Sequence, residues 1–415
     1  MLTVAEARAR LLAYFKPLEA EPAPLEAALG RVLAEAVLAG EDLPPFANSS
    51  MDGFAVRVVD VAQAASASPV TLRVSGDIPA GAPNPPALIP GTAMRIMTGA
   101  PVPAGADAIV PVEETDHADR GPSALPAEVR IFKAPEPGAN VRPAGQDVRA
   151  GQVVLAAGTT LRPAAVGVLA ALGQAQVRVH RRPLAALLST GDELRDVGEP
   201  LGPGQIRDAN GYSLAAAVEQ AGGRVLRLGI VRDRLEAVVE KLRQAAAAGA
   251  DLIISSAGVS VGAYDVVKSA VEADGALAFW RVSMRPGKPL AFGHVRGPDG
   301  RAVPFIGLPG NPVSALVGME VFVRPALLTL AGRRRWARPT ILATLAEPFQ
   351  SDGRETYLRV TLEQQGDAFM AHSAGHQGSN IITSLVKADG LLIVPAGSGY
   401  VPARSRLPVW LLDAD

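Results

Sequence analysis

Four loops between residues 190 and 314 carry side chains that could do chemistry, and each follows a short apolar run. In order, they contain Asp192 and Glu193 after LAALLST, Asp233 after VLRLGIV, Ser260 and Asp265 after DLIISS, and Ser314 after AVPFIGL. The carboxylates Glu193, Asp233 and Asp265 suit a hard divalent ion such as Mg²⁺, which prefers one or two carboxylates together with substrate phosphates. The third and fourth loops are rich in glycine and open predicted helices, so their N–H groups suit a phosphate or another oxyanion.

A short basic segment lies between the third and fourth loops. In the string SMRPGKP, residues 283–289, Arg285 and Lys288 stand beside prolines that limit the freedom of the backbone. The chain has six lysines against 34 arginines, so a lysine between a glycine and a proline is unusual here. A rigid pair of cations suits an anion. Together with the carboxylates, this segment predicts a phosphorylated, anionic ligand bound with a metal ion.

Each of these features also has an ordinary structural explanation. Asp233 and Asp265 lie where predicted helices begin and could be N-caps. A glycine-rich loop could be only a turn, and Arg285 and Lys288 could lie in a solvated basic turn. All of the features fall on one edge of one predicted sheet, however, and that coincidence favours a binding site over a set of unrelated turns.

The elements that must hold these loops alternate between strands and helices. Residues 210–222, 234–248 and 265–274 are predicted helices, and each apolar run named above is a predicted strand. This alternation predicts a parallel, doubly wound sheet. Ligands of such sheets bind beyond the carboxyl ends of the strands, which is where all four loops would lie.

The remainder of the chain differs in character, so the predicted fold class is multidomain α/β plus β. The expected parts are an N-terminal mixed α/β domain I (1–44 and 142–181), an inserted β-rich domain II (45–141), the central doubly wound domain III (182–334) and a C-terminal β domain IV (335–415). Prolines are dense in domain II, which favours short strands and turns over helices. In domain I, two helical stretches separated by a turn at Glu21–Pro24 are expected before residue 44.

Composition argues against several classes of protein. The 415 residues are too many for one ordinary core. A formal net charge of -1 lacks the basic excess of a nucleic-acid binder. The absence of cysteine excludes disulfides, thiolate metal sites and cysteine nucleophiles. The N-terminal string MLTVAEARARLLAYF is interrupted by charges, and no apolar run approaches the ~18 residues of a membrane span. We therefore expect a cytoplasmic protein with neither a membrane nor a nucleic acid as partner.

Six motifs spread along the chain resemble those of one known family. They are NSSMDGFA at 48–55, RIMTGAPVP at 95–103, TGDEL at 190–194, AGVSVG at 257–262, RPGKP at 285–289 and GLPGNPVS at 307–314. In this order they resemble the molybdopterin molybdenumtransferase (MoeA) family, which is related to the C-terminal domain of gephyrin. The resemblance covers nearly the whole chain, and its first and last motifs are the most specific.

The resemblance implies an activity, a fold and a set of site residues. The implied reaction takes adenylylated molybdopterin and molybdate, requires Mg²⁺, forms the molybdenum cofactor and releases AMP. Domain III would have the molybdopterin-binding fold within an elongated homodimer, and the molybdopterin adenylyltransferase is an expected partner. The matching positions are Asp192, Glu193, Asp233, Asp265 and Ser260 for nucleotide, pterin and Mg²⁺, with Glu193, Asp233 and Asp265 as metal ligands; Lys288, Pro289, Ser314, Arg354 and Ser379 for molybdate; and Asp52, Thr98 and Asp147 in the first two domains. Arg285 is expected to bind substrate as the second member of the cationic pair with Lys288. Of these, Asp192, Glu193, Asp233, Asp265 and Lys288 are the expected catalytic residues.

The chain departs from the family pattern at three positions. Arg285 stands where the family usually has lysine, Ala257 where it has glycine, and Gln146 where it has glutamate. Arginine keeps the charge of lysine but changes the hydrogen-bond geometry. Two other functions stay open at this point, a molybdopterin adenylyltransferase and a non-catalytic scaffold that binds the cofactor. The choice between molybdate and tungstate is open as well.

Overall fold

The structure of the protein, a computed structural model, describes residues 1–117, 124–256 and 264–412; the side chains of residues 264–265, 274 and 278–280 lie outside this description. The strands are β1 Ala20–Pro24, β2 Val37–Leu38, β3 Asn48–Ser49, β4 Gly53–Val56, β5 Val70–Ile78, β6 Thr92–Ile96, β7 Ala108–Pro111, β8 Glu128–Ile131, β9 Val141–Arg142, β10 Val153–Leu155, β11 Gln176–His180, β12 Leu184–Thr190, β13 Leu194–Arg195, β14 Ile206–Arg207, β15 Arg224–Val231, β16 Leu252–Ser256, β17 Gly275–Arg281, β18 Met284–Arg285, β19 Pro289–Arg296, β20 Ala302–Leu308, β21 Thr340–Leu345, β22 Phe349–Gln350, β23 Glu355–Gln365, β24 Ala368–Ser373, β25 Gly390–Val394, β26 Tyr400–Val401 and β27 Arg406–Leu411. The helices are α1 Val4–Leu12, α2 Val58–Val61, α3 Pro163–Ala171, α4 Ala209–Gln220, α5 Leu235–Ala247, α6 Tyr264–Asp274, α7 Pro312–Gly318, α8 Arg324–Leu330 and α9 Thr383–Val386.

The chain folds into two compact units. Unit 1 comprises residues 1–35, 158–162 and 176–415, and unit 2 comprises residues 36–157 and 163–175. The backbone therefore passes from one unit to the other four times, after residues 35, 157, 162 and 175.

Unit 2 contains the predicted β-rich segment. Its main sheet has the order β7-β4-β6-β5-β8, in which only β5 and β6 are parallel. The inner strand β4 is buried along its whole length, and its Phe54 and Val56 pack in the core of this sheet. Gly53 is required where β4 meets β7, because a Cβ there would lie 2.0 Å from the Val110 carbonyl oxygen.

The N-terminal segment of unit 1 differs from the sequence expectation. Helix α1 is present, and it begins with a capping box between Thr3 and Glu6. The expected turn at Glu21–Pro24 is wrong, because these residues belong to β1, which pairs antiparallel with β11. The expected second helix is also wrong, since only a 3₁₀ turn, Leu25–Ala27, follows β1. Pro22 and Pro24 explain both outcomes: they cannot stand inside a helix but are tolerated in a two-stranded sheet, where each strand has a free edge.

The predicted doubly wound sheet is present in unit 1. Its order is β15-β12-β16-β20-β19-β17, and the neighbours β15, β12, β16 and β20 are parallel. Alternate residues of β12 face opposite sides: Leu187 packs in the core with α1, α4, α7 and α8, and Leu188 packs in the core with α5 and α6. Helices thus cover both faces of the sheet, as the alternating pattern predicted.

One edge of this sheet is antiparallel, which the sequence analysis did not predict. Strand β19 pairs antiparallel with both β20 and β17. The β19–β20 connection is a tight turn in which the Gly297 N–H donates to the Arg301 carbonyl over 2.8 Å. The string Gly-Pro-Asp-Gly at 297–300 was the available signal for this hairpin.

Helices α7 and α8 form one buried rod. A π-helical stretch, Met319–Val323, joins them, and Pro325 follows in the first turn of α8. By length and composition, Pro312–Leu330 could cross a membrane, with a mean hydropathy of 1.6, yet 78% of that window is buried inside the protein. Among the described residues this is the one helix with such a composition, and its burial is that of a core helix.

The C-terminal strands close into a small barrel. The order β23-β24-β21-β27-β25 returns to its start, because β25 also pairs with β23. Strand β18, from the middle of the chain, joins this barrel by pairing in parallel with β23. The basic segment 285–289 is therefore attached to the C-terminal barrel as well as to the central sheet.

Candidate functional site

A cavity of about 770 Å³ lies where the carboxyl ends of the parallel strands face the C-terminal barrel. Its lining combines strand-end residues, the basic segment and residues of the barrel. The residues that line it are Thr190, Gly191, Glu193, Leu194, Ile206, Arg207, Asp208, Ala209, Asn210, Asp233, Ser256, Arg285, Pro286, Gly287, Lys288, Pro289, Pro309, Gly310, Asn311, Pro312, Ser314, Phe349, Arg354, Thr356, Tyr357, Leu358, Arg359, Gln377, Gly378 and Ser379. Eight of the residues predicted from the sequence are therefore brought together here: Glu193, Asp233, Arg285, Lys288, Pro289, Ser314, Arg354 and Ser379.

The acidic side of the cavity is formed by Glu193 and Asp233. Asp233 Oδ1 is buried and has no hydrogen-bond partner. Burial raises the pKa of Asp233, and the nearby carboxylates of Asp192 and Glu193 raise it further. Asp233 is not the N-cap of α5, because that position is held by Arg234. A partly exposed carboxylate with one buried, unpartnered oxygen and two acidic neighbours is well placed to take up a proton or a cation.

The remaining residues of the predicted metal region have different placements. Asp192 is exposed and does not line the cavity. Asp265 lies at the start of α6, but its side chain is outside the described part of the chain. Ser260 and Ala257, the residue that stands where the family usually has glycine, also lie outside the described residues. Within the described ranges, no three His, Cys, Asp or Glu side chains are grouped closely enough to bind a metal ion by themselves.

A buried polar network beside the acidic side was missed by the sequence analysis. Asp208 is the N-cap of α4 and accepts hydrogen bonds from the Gly211 N–H, 2.8 Å, and from Ser189 Oγ, 2.9 Å. Asn210 Nδ2 donates to Ser256 Oγ and to the Gly310 carbonyl, both at 2.7 Å. The network ties the ends of β12, β16 and β20 to one helix. An aspartate before a predicted helix was the signal that could have identified Asp208.

The basic side is built around the segment that was predicted to bind an anion. Arg285, Lys288 and Pro289 all line the cavity. The exposed Lys288 ammonium has no hydrogen-bond or ion-pair partner among the described residues. Gly287 has a φ of +101°, a conformation that side chains with a Cβ rarely adopt, and it sets the direction of the chain just before Lys288. Arg354 extends from the barrel and donates through Nη1 to the Met284 carbonyl over 3.0 Å.

Arg359 is a second residue that the sequence analysis missed. It is 1% exposed, and within the described part of the chain no carboxylate pairs with it. Its Nε donates to Ser384 Oγ, and its Nη2 donates to the carbonyls of His376 and Gly378. Burial, together with the positive charge of Arg285, lowers the pKa of Arg359 to about 10, so it stays charged at neutral pH. A buried cation without a carboxylate, at the wall of a cavity, is a strong attraction for an anion.

Two serine hydroxyls complete the basic side, and their loops are joined. Ser379 Oγ accepts from Asn311 Nδ2 over 3.1 Å, and the Ser379 carbonyl accepts from the Val313 N–H over 3.0 Å. Ser314, in the first turn of α7, is 4% exposed. The barrel loop that carries Ser379 therefore occupies the Val313 N–H at the start of α7.

Three predicted site residues belong to unit 2. Asp52 Oδ1 accepts hydrogen bonds from the Thr98 N–H, 2.7 Å, and from Thr98 Oγ1, 2.6 Å. This pair links the loops after β3 and β6, so the two family motifs that carry Asp52 and Thr98 meet in one place. Asp147 is exposed, and its N–H donates to the Leu43 carbonyl over 3.0 Å. The neighbouring Gln146, one of the departures from the family pattern, is also exposed.

Comparison with known proteins agrees with the motifs. Residues 2–173 match the model of the MoeA N-terminal region (domain I and II), residues 186–329 a probable molybdopterin binding domain, and residues 343–412 the MoeA C-terminal region (domain IV). Molybdopterin molybdenumtransferase 2 of Mycobacterium tuberculosis is 42% identical over 93% of this chain and 94% of its own length. The chain belongs to the molybdopterin molybdenumtransferase (MoeA) family. Another member, from Haemophilus influenzae, is 37% identical over 99% of this chain and 98% of its own.

Solved structures of MoeA proteins have the same fold. Two structures of the molybdopterin biosynthesis MoeA protein of Pyrococcus horikoshii each superpose with a TM-score of 0.81 over 99% of this chain. They cover 99% and 100% of their own chains, with sequence identities of 31% and 27%. The predicted family, fold class and enzyme class, a transferase, are therefore confirmed for this MoeA family member.

Proposed function

We propose that this protein is a molybdopterin molybdenumtransferase that inserts molybdate into adenylylated molybdopterin and releases AMP. Its relatives carry that name over nearly their whole length. The observation that carries the proposal is the composition of one cavity, which brings the carboxylates of Glu193 and Asp233 and an excess of cations into a single space. A substrate with a phosphoanhydride and a separate oxyanion needs both kinds of group.

The acidic side fits a magnesium ion. Asp233 offers a buried oxygen without a partner, and Glu193 lines the same space. Two carboxylates with substrate phosphates are a common environment for Mg²⁺. Bound there, the ion would neutralise charge on the phosphoanhydride that is cleaved when AMP leaves. We assign Glu193 and Asp233 to this role, with Asp265 as the third ligand on the basis of the family motif and Asp192 as an acidic neighbour.

The basic side fits the molybdate dianion. Lys288, Arg354 and the buried Arg359 supply positive charge, and Ser314 and Ser379 supply hydroxyls. Arg285 adds a further cation at the position where the family usually has lysine. Donors of this kind can bind an oxyanion reversibly without a covalent bond, which suits a substrate that must be passed on to the pterin sulfurs. Molybdate and tungstate are alike in charge and size, and the residues assigned to this side do not distinguish between them.

Several further assignments rest on the family resemblance. We propose a cytoplasmic homodimer with Asp52, Thr98, Asp147 and Ser260 as substrate-contacting residues and with the molybdopterin adenylyltransferase as the source of the substrate. We also propose the four domains 1–44 with 142–181, 45–141, 182–334 and 335–415, which agree with the order of the family models along the chain. Sedimentation of the purified protein tests the dimer.

The deciding experiment is AMP release by the purified protein. Given adenylylated molybdopterin and Mg²⁺, the protein should release AMP when molybdate is added and release little without it. If the protein releases AMP equally well with and without molybdate, it is instead a hydrolase. If the protein binds the adenylylated pterin but releases no AMP with molybdate and Mg²⁺ present, the proposal is wrong and a cofactor-binding scaffold replaces it.

A further inference from the structure

Asp352 lies behind the basic side of the cavity and contacts two of its arginines. It stands in the loop between β22 and β23 and is not among the described residues that line the cavity. Its carboxylate accepts hydrogen bonds from the Arg354 backbone N–H, 3.2 Å, and from Arg354 Nε, 3.1 Å, and it also pairs with Arg354 Nη2. Its Oδ2 lies 3.7 Å from Arg285 Nη1. One carboxylate thus faces two cations that line the cavity.

The two arginines are oriented on their other sides as well. Arg354 Nη1 donates to the Met284 carbonyl, the residue before Arg285, and β18 pairs with the start of β23. The Arg285 guanidinium carbon lies 6.0 Å from the centre of the Phe349 ring, just before the Asp352 loop. Lys288, by contrast, has no such partner among the described residues. Asp352 therefore completes the set of contacts that orients Arg285 and Arg354.

We propose that Asp352 is a positioning residue that holds Arg285 and Arg354 in place for the incoming oxyanion. The proposal deepens the proposed function, on which its substrate rests. Arg285 is the position where the family usually has lysine, and the carboxylate beside it gives the longer, forked arginine a defined direction. Asp352 itself contacts no substrate; it acts through the two guanidinium groups.

Removing the Asp352 carboxylate has two opposite effects on the binding of an anion. It takes away a negative charge, which strengthens attraction, and it frees two long side chains, whose ordering then opposes binding. The side chains of Arg285 and Asp352 are 41% and 37% exposed, so solvent and salt screen the charge effect at this rim. The loss of order is not screened. We therefore expect weaker binding of molybdate when the carboxylate is removed.

The test compares Asp352→Asn and Asp352→Glu with the natural protein. AMP release at saturating adenylylated pterin gives kcat and the KM for molybdate, and calorimetry gives the Kd for molybdate alone. For Asp352→Asn we expect KM and Kd to rise on the order of tenfold, with kcat changed by less than about twofold. Asp352→Glu, which keeps the charge, should recover most of the affinity. A purely structural role would lower kcat and melting temperature and would not change KM selectively.

Asp367→Asn is the matched control, because it makes the same change in the exposed turn between β23 and β24. Asp367→Asn should leave kcat, the KM for molybdate and the Kd for molybdate unchanged. An unchanged or lower Kd in Asp352→Asn would overturn the proposal, since the charge effect would then dominate. The calorimetric measurement does not depend on turnover. If the natural protein binds molybdate without releasing AMP, the proposed function fails while the role of Asp352 is still decided; if it binds no molybdate, both fail.

Discussion

Asp233 is a carboxylate whose folded surroundings oppose its charge. Burial and the carboxylates of Asp192 and Glu193 raise its pKa, and its Oδ1 has no hydrogen-bond partner. A carboxyl whose pKa is raised on folding stabilises the fold when protonated, and that contribution is lost as the pH rises through the folded-state pKa. At neutral pH the ionised Asp233 therefore costs stability in the absence of a cation. Residues of functional sites often lower the stability of the folded protein in this way.

Asp233→Asn should stabilise the protein and inactivate it. Without Mg²⁺ at pH 8, we expect the melting temperature to rise by about 1–3 °C, because a neutral amide replaces a disfavoured charge. The difference should shrink as the pH is lowered into the range where Asp233 is protonated in the natural protein. Molybdate-dependent AMP release should be lost. Differential scanning calorimetry with and without Mg²⁺ measures the first effect, and Mg²⁺ should raise the melting temperature of the natural protein more than that of the variant.

The control for this prediction is again Asp367→Asn, which removes an exposed carboxylate. Its melting temperature and its response to Mg²⁺ should match those of the natural protein. A lower melting temperature for Asp233→Asn at pH 8 would contradict the assignment, since it would show that the ionised carboxylate has a stabilising partner in the folded protein.

At the scale of elements, the segment between β18 and β19 decides where Lys288 lies. This segment is short and stiff, with Pro286 and Pro289 on either side of Gly287 and Lys288. A Cβ at Gly287 would have room, since its nearest neighbours are the Met284 methyl and the Ser314 carbonyl oxygen at 3.5 Å. The backbone φ of +101° is the obstacle instead. A substitution here moves the chain rather than creating a clash.

Gly287→Ala should weaken molybdate binding more than it weakens the fold. We expect the backbone strain to cost about 1–3 kcal/mol, part of which is relieved by a shift that displaces Lys288. The KM for molybdate should rise about tenfold or more, because small displacements of a binding group have large effects. Gly300→Ala is the control: its φ is +79° with open space around it, in the turn at the other end of the β19–β20 hairpin. It should lower stability similarly and leave KM unchanged. Equal KM changes in both variants would contradict the prediction.

The elements that could be predicted from the sequence are those with a repeating local pattern. Buried strands such as β12 and β16, alternating with amphipathic helices, indicated the doubly wound sheet, and the rule for strand ends then placed Glu193 and Asp233. Strand β1 was missed because its pairing with β11 depends on a distant part of the chain. The antiparallel pairing of β19 with β20 is local, and its turn signal at residues 297–300 was not used.

The site residues that were missed share the same limitation. In the string YLRVTL, Arg359 occupies a position of β23 that the strand period assigns to a face but not to a neighbour. Whether that face meets solvent, core or a cavity is decided when β25 closes the barrel on β23. The contact of Asp352 with Arg285 depends likewise on β18 joining the barrel, and no pattern along the chain indicates that step.

At the scale of the whole molecule, unit 1 is assembled from distant parts of the chain. Helix α1, at the N-terminus, packs in the same core as α4, α7 and α8, and this core also takes in Tyr357 and Leu391 of the C-terminal barrel. Leu11 of α1 is fully buried there. The first dozen residues therefore belong to the core of the unit that contains the cavity, although the central sheet starts only at Leu184.

Leu11→Ala should destabilise unit 1 strongly. Truncating a fully buried leucine typically costs about 3–5 kcal/mol, from lost burial and from the cavity left behind. Urea unfolding followed by tryptophan fluorescence measures the loss. Leu29→Ala makes the same change at a position that is 57% exposed and should stay within about 0.5 kcal/mol of the natural protein. Similar losses for both variants would show that α1 contributes little to this core.

The four passages of the backbone between the units limit how this protein can be rearranged in evolution. No single stretch of the gene encodes unit 2 without residues 158–162 of unit 1, and unit 1 is encoded in three pieces. A single recombination breakpoint cannot exchange one unit and leave the other intact, because unit 1 contains residues at both ends of the sequence and every breakpoint splits it. Relatives should therefore inherit both units together, and a shuffled descendant would need several matched breakpoints at once. Because of this chain topology, we expect the two units to be inherited together.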